Sequence, residues 1–194
     1  SFPTRRSSDL LQGFTGLNLW SVSEGRVHFE YVETQFDLGG VIKEFAVDEA
    51  ARIARDASIL SGLINFGGDL YAIGRKPNQQ RFVAAIPNPH HTNQLLFGMD
   101  LEHQALTTSG HYARQRPVSD GSVSHVMQTT APLSKVVSAS VVSASALVSG
   151  IYSTALLVSQ NLCLPPEAHA VVVDDQGKLH PLPAGVLAAT LFND

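Results

Sequence analysis

The chain has 194 residues, 44% of them hydrophobic and 15% charged, with a formal net charge of −4. That length supports one domain with a sizeable core or two tightly fused lobes. The charge, light beside the roughly 25% of an ordinary soluble chain, excludes a basic nucleic-acid surface and a polybasic membrane patch. Cys163 is the single cysteine, which excludes an internal disulfide, a Cys-based zinc site and a redox pair.

Residues 1–10 hold no initiator methionine and no apolar signal core. They read as a disordered or foreign leader, and the fold is expected over residues 11–194. Leu17 to Val22 and Val27 to Tyr31 alternate about Ser23-Glu24-Gly25, which predicts a hairpin. The strand-like run from Val27 to Phe36 then leads through Asp37 and Leu38 to Gly39-Gly40. From Val41 to about Leu60, apolar residues recur at spacings of three and four, so an amphipathic helix is expected, ended by Gly62.

A glycine turn ahead of a helix lets backbone approach a ligand, and the helix start offers free N–H groups to phosphate. Lys43 adds a point charge in the first turn. On its own this stretch also reads as a plain strand–turn–helix joint. A second Gly-Gly, Gly67-Gly68, lies between two short strands and is bracketed by Asn65 and Asp69, residue types common at turns. Two such turns flanking one helix suggest that both approach the same ligand.

Arg81 to Ile86 reads as a strand, and Pro87 to His91 as a surface loop whose adjacent histidines do not face one site. Leu95 to Gly98 and Gln104 to Thr108 read as strands, with Ser109-Gly110 as a turn. His111 to Arg114 reads as a polar hairpin tip, followed by Ser122 to Val126. Val136 to Val158 carries no charge but is rich in serine. Its β-branched first part predicts a buried strand and its second part, from Ser145 to Gln160, a packed helix; it is not a membrane span. Ala170 to Val173, Lys178 to His180 and Val186 to Leu191 close the chain, the first two about the turn Asp174 to Gly177. Two main helices among many short strands predict an α+β fold with mostly antiparallel sheets.

Four groups of residues now stand in a fixed order. They are Asp37-Leu38-Gly39-Gly40 with Lys43 and Ala46-Val47-Asp48; Asn65 to Asp69 with Gly74; Thr107 to Gly110 with Tyr112, Arg114 and His125; and Ser153-Thr154-Ala155-Leu156. This order resembles the ApbE family, the FAD:protein FMN transferases, from about Leu17 to the end of the chain. It matches roughly the C-terminal two thirds of a typical member.

The resemblance implies binding of FAD with a divalent metal, usually magnesium. It implies transfer of FMN to a threonine of a partner flavoprotein carrying a Ser/Thr-Gly-Ala-Thr type site. It further implies a place in the bacterial periplasm or at a membrane face. Gly39, Gly40 and Lys43, with Asp37 ahead of them, match the pyrophosphate-side loop, Phe45 fills the slot of the family's aromatic, and Asn65, Gly67, Gly68 and Asp69 match the second glycine loop as flavin-binding residues. Ser109 and Tyr112 match a Ser-Gly-Asp-Tyr turn, His125 a histidine suited to be the general base, and the Ile42 carbonyl and Thr154 the metal contacts. The other reading is a degenerate ApbE-like domain that holds flavin or a partner without transfer.

The departures are specific. The family's aspartate four residues before the threonine is Gly150, and the glycine after its lysine is Glu44. His111 replaces the aspartate of the Ser-Gly-Asp-Tyr turn, and Gln128-Thr129 replace an Asp-Pro. Magnesium favours carboxylate oxygen; Glu44, Asp37 and Asp69 are the carboxylates available in its place.

Overall fold

The computed structural model describes residues 19–34, 38–91, 93–110, 116–118, 121–123, 136–159, 162–183 and 189–191. The chain divides into two compact units, Ser1–Leu38 and Gly39–Asp194. In the first, β1 (Trp20–Ser23) and β2 (Arg26–Phe29) form an antiparallel hairpin. Glu24 and Gly25 turn it with φ of 51° and 72°, the positive values a tight two-residue hairpin needs. The strand stops at Phe29, short of the run to Phe36 expected from sequence.

The second unit is layered. A six-stranded antiparallel sheet runs in the order β12-β11-β10-β7-β4-β3. Its strands are β3 (Gly62–Phe66), β4 (Asp69–Ile73), β7 (Gln104–Gly110), β10 (Val136–Ser143), β11 (His169–Asp174) and β12 (Leu179–Leu182). A second antiparallel sheet orders β13 (Ala189–Leu191), β6 (Leu95–Leu101) and β5 (Phe82–Pro87). A short pair, β8 (Arg116–Val118) and β9 (Gly121–Val123), stands apart from both. With two helices among mostly antiparallel strands, the fold is α+β as the sequence predicts.

The helices are α1 (Ile42–Asp56) and α2 (Ala146–Val158). Alternation along each central strand splits the core in two. On one face, Tyr71, Ile73 and Ala105 pack on Val47 and Ala51 of α1, while Val141 and Val172 pack on Leu156 and Leu157 of α2. On the other face, Leu106, Val142 and Val171 meet Phe97, Met99 and Leu101 of β6. Each fully buried leucine contributes about 1.5–3 kcal/mol. Val136 to Val158 is thus a buried strand followed by a packed helix, and no helix among the described residues is long and apolar enough to cross a membrane.

Two boundaries differ from expectation. Helix α1 ends at Asp56, before Gly62, because Ser58 adopts φ of 60° and takes the role usually given to glycine. Ser58 N–H donates to Arg55 O at 2.9 Å and Ile59 N–H to Ala54 O at 3.0 Å, the pair of bonds that closes a Schellman end. Ser109 and Gly110 are not a turn: they extend β7 and pair with Ala139 and Ser138 of β10.

Gly74 holds the chain after β4 with φ of 60°, and a Cβ there would run into the carbonyl oxygen of Leu60. Gly74→Ala is therefore expected to cost about 2–4 kcal/mol, from left-handed strain plus the clash. Urea unfolding should show the midpoint falling at unchanged slope.

Candidate functional site

Helix α1 begins directly after the turn at Gly39 and Gly40. Gly40 does not use a left-handed backbone; a Cβ there would meet nothing within 4 Å, so its contribution is open space in front of the helix. Val41 is the N-cap residue and makes no side-chain cap hydrogen bond among the described residues. The first turn therefore presents backbone N–H groups and the positive end of the helix dipole. Ile42 opens that turn, and Phe45 stands half-exposed beside it.

The second glycine turn is built differently. Gly67 and Gly68 have φ of 60° and 100°, and Asn65 Oδ1 accepts from Gly68 N–H at 2.9 Å. Only glycine takes two such dihedrals in a row without strain. Asp69 follows, 3% exposed, and its Oδ2 lies 2.7 Å from Lys43 Nζ. That contact is an ion pair by distance and not an aligned hydrogen bond. It ties the second glycine turn to the first turn of α1. Lys43 is a third exposed and keeps donor capacity outward, because an ammonium carries three N–H groups.

From α1 the site continues to α2. Gly150 is buried, and a Cβ placed on it would lie 2.7 Å from Glu44 Cγ, 3.2 Å from Cδ and 3.3 Å from Oε1. The missing side chain is what lets the Glu44 carboxyl settle between the helices. One turn on, Thr154 is exposed and its Oγ1 lies 3.1 Å from Ser109 Oγ. Ser109 Oγ also meets Ser153 Oγ at 2.9 Å, and Ser153 donates to Gly150 O at 3.1 Å. The end of β7 is thereby bolted to the middle of α2.

Asp48 fixes the angle between the helices. Its carboxylate accepts from Ser145 Oγ at 2.7 Å, Ala146 N–H at 2.7 Å and Leu147 N–H at 3.0 Å. A carboxylate of α1 thus caps the N-terminus of α2, where negative charge is favoured. Ser145 completes the cap by accepting from Val148 N–H at 3.2 Å.

Lys43 meets Asp69, Asn65 meets Gly68 and Ser109 meets Thr154, while Gly39, Gly40, Ile42 and Phe45 lie at the start of α1. Asp37, Tyr112 and His125 lie outside the described residues. Glu44 as a neighbour of Gly150, Ser153 as a bridge and Asp48 as a cap had not been singled out. The signal was present for the first: a gained carboxylate at 44 beside a lost one at 150.

The site does not coincide with the larger cleft. A cleft of about 550 Å3 lies at the β6–β7 end of the sheets, lined by Glu102, His103, Gln104 and His169. Gln104 opens β7 there, whereas Ser109 stands near the strand's other end. Glu102 in that cleft is held below the usual carboxylate range by hydrogen bonding from Arg75, with Arg81 adding to it. Its two oxygens accept from two guanidiniums, one each, which favours the ionised form. The arrangement of glycine turns, lysine and hydroxyls is the better site.

The ApbE family model matches residues 3–170. A protein of Buchnera aphidicola subsp. Baizongia pistaciae named FAD:protein FMN transferase is 29% identical over 166 residues, covering 81% of this chain and 48% of its own length. The chain thus spans about half the length of that curated relative. The solved ApbE protein of Thermotoga maritima superposes with a TM-score of 0.80 at 24% identity, over 93% of this chain and 62% of that one. The apo flavinyl transferase ApbE of Pseudomonas stutzeri gives 0.69 at 24% identity, over 91% and 58%. At those identities the solved structures establish the fold.

Proposed function

The chain belongs to the ApbE family, and on that footing we propose that it carries the flavin-handling face of an FAD:protein FMN transferase. The observation that supports this most is the Lys43–Asp69 ion pair, which gathers two glycine turns and a helix start about one patch suited to pyrophosphate. Gly40 leaves room for the phosphates, the α1 N–H groups face them and Lys43 adds charge. Phe45, half-exposed, offers an aromatic surface to the flavin end.

The fit of a divalent cation can be judged from the donors. No group of three or more His, Cys, Asp or Glu capable of holding a metal occurs among the described residues. Magnesium does not require one, since it keeps waters and shares its ligands with substrate phosphates. The Thr154 hydroxyl fits such a shared site, with the Glu44 carboxyl against Gly150 one turn before it on α2, whereas the Ile42 carbonyl belongs to the first residue of α1 and points along the helix. A bound magnesium would neutralise charge on the pyrophosphate.

In the proposed reaction a threonine hydroxyl of the acceptor attacks the FMN phosphorus. The new P–O bond replaces the pyrophosphate P–O bond, AMP departs, and His125 takes the threonine proton. The α1 N–H groups and Lys43 stabilise the charge that shifts onto the phosphate oxygens. The acceptor is a flavoprotein with a Ser/Thr-Gly-Ala-Thr type site, and the setting is the bacterial periplasm or a membrane face. Gly150 favours a second reading, flavin binding without transfer, because it removes a carboxylate from α2. Incubation with FAD, magnesium and an acceptor protein decides between them. Transfer predicts a mass gain of one FMN on the acceptor threonine and release of AMP. FAD binding with no mass gain establishes the second reading.

A further inference from the structure

We propose that Glu44 is a divalent-cation ligand, delivering from α1 the carboxylate that position 150 of α2 lacks. The inference rests on the flavin reading above and deepens it. The resemblance implies a glycine at 44 and an aspartate at 150, and this chain carries Glu44 and Gly150 there, so the two departures are reciprocal. Read separately, one loses a ligand and the other adds unwanted negative charge near phosphate. In the fold they are one exchange across a helix–helix contact.

The geometry carries this. A Cβ at residue 150 would be 2.7 Å from Glu44 Cγ and 3.3 Å from Glu44 Oε1, closer than van der Waals contact allows. With Glu44 in this position a Cβ at 150 would force the glutamate side chain to move, and the glutamate carboxyl lies close to where that side chain would extend. Glu44 is only 8% exposed, so its carboxyl is positioned by packing and not by free rotation. Thr154 lies one turn beyond Gly150 on the same face of α2, its hydroxyl exposed and steadied by Ser109. The Glu44 carboxyl against Gly150 and the Thr154 hydroxyl one turn further along α2 offer hard oxygen donors of the kind magnesium and manganese select. Lys43, next in sequence, is drawn toward Asp69, so the cation that accompanies the phosphates and the lysine charge have separate places.

The test uses manganese as the probe, followed by electron paramagnetic resonance of the free ion, for the whole chain alone and with FAD. The variants are Glu44→Gln, Gly150→Asp and the reciprocal pair Glu44→Gly with Gly150→Asp. Manganese affinity is expected to fall at least tenfold in Glu44→Gln, while FAD affinity without metal changes less than about twofold. Gly150→Asp alone is expected to lower Tm through the clash, and the reciprocal pair to regain both Tm and manganese affinity. Unchanged manganese affinity in Glu44→Gln overturns the proposal, as does a wild type that binds FAD but no manganese. Should Glu44→Gln fail to fold, the reciprocal pair decides: a folded pair without manganese affinity also overturns it. Loss of FAD binding in the wild type would count against the flavin reading instead, and the titration without FAD still judges Glu44.

Discussion

Asp48→Ala is expected to lower the melting temperature by about 10 °C. The substitution removes three hydrogen bonds at once, two of them from N–H groups in the first turn of α2. A capping side chain is worth about 1 kcal/mol, and a hydrogen bond to a charged group about 1.5–3 kcal/mol. These contributions overlap, so the loss is set at about 3–4 kcal/mol. In a chain of this size each kcal/mol moves Tm by about 2–4 °C. Asp48→Asn keeps one acceptor and the shape, and should lose about half as much. Thermal unfolding followed by circular dichroism checks both. A fall of under about 2 °C for the alanine variant would mean that α2 is held by its apolar face alone.

Lys43→Met is expected to weaken FAD binding by about 10–100-fold and also to lower Tm. The binding loss follows from removing one charge-assisted contact to phosphate, worth about 1.5–3 kcal/mol. The stability loss has a different origin, because Asp69 is left buried without its counter-charge. Removing one partner of a fully buried pair costs about 3–5 kcal/mol. Lys43 is a third exposed, so about 1–2 kcal/mol is expected here. Adding Asp69→Asn should restore Tm without restoring FAD affinity. That separates the role of Lys43 toward Asp69 from its role toward phosphate. Restoration of both by the double variant would show that Lys43 acts only by holding the turn.

What could be read from sequence follows the range of the forces involved. Both helices were visible because their apolar residues repeat with the helical period, and both core strands of the α2 side because valine runs demand burial. The glycine turn at Gly67-Gly68 was legible because its dihedrals are a local matter. Ser58 was not, since serine rarely accepts φ of 60° and nothing nearby announces it. Ser109-Gly110 carried the composition of a turn, yet β10 pairs with both residues and keeps them in β7. Pairing with a distant strand outweighs local preference.

The site divides in the same way. Lys43 and the glycines were readable from their own neighbourhoods. The partners of Asp48 lie 97 to 99 residues away, so its capping role depends wholly on how α1 and α2 pack. Glu44 is one of three carboxylates the sequence offers in place of the one absent at 150, and only the packing of α1 on α2 sets it against Gly150. A carboxylate exchanged between two helices is invisible in either helix alone.

The central claim is that the two glycine turns, gathered by Lys43 and Asp69, hold the pyrophosphate of FAD. Isothermal calorimetry of the folded chain with FAD, repeated with excess magnesium, tests it most directly. Saturable FAD binding that tightens with magnesium is expected. Failure of the folded chain to take up FAD, with or without magnesium, would contradict it.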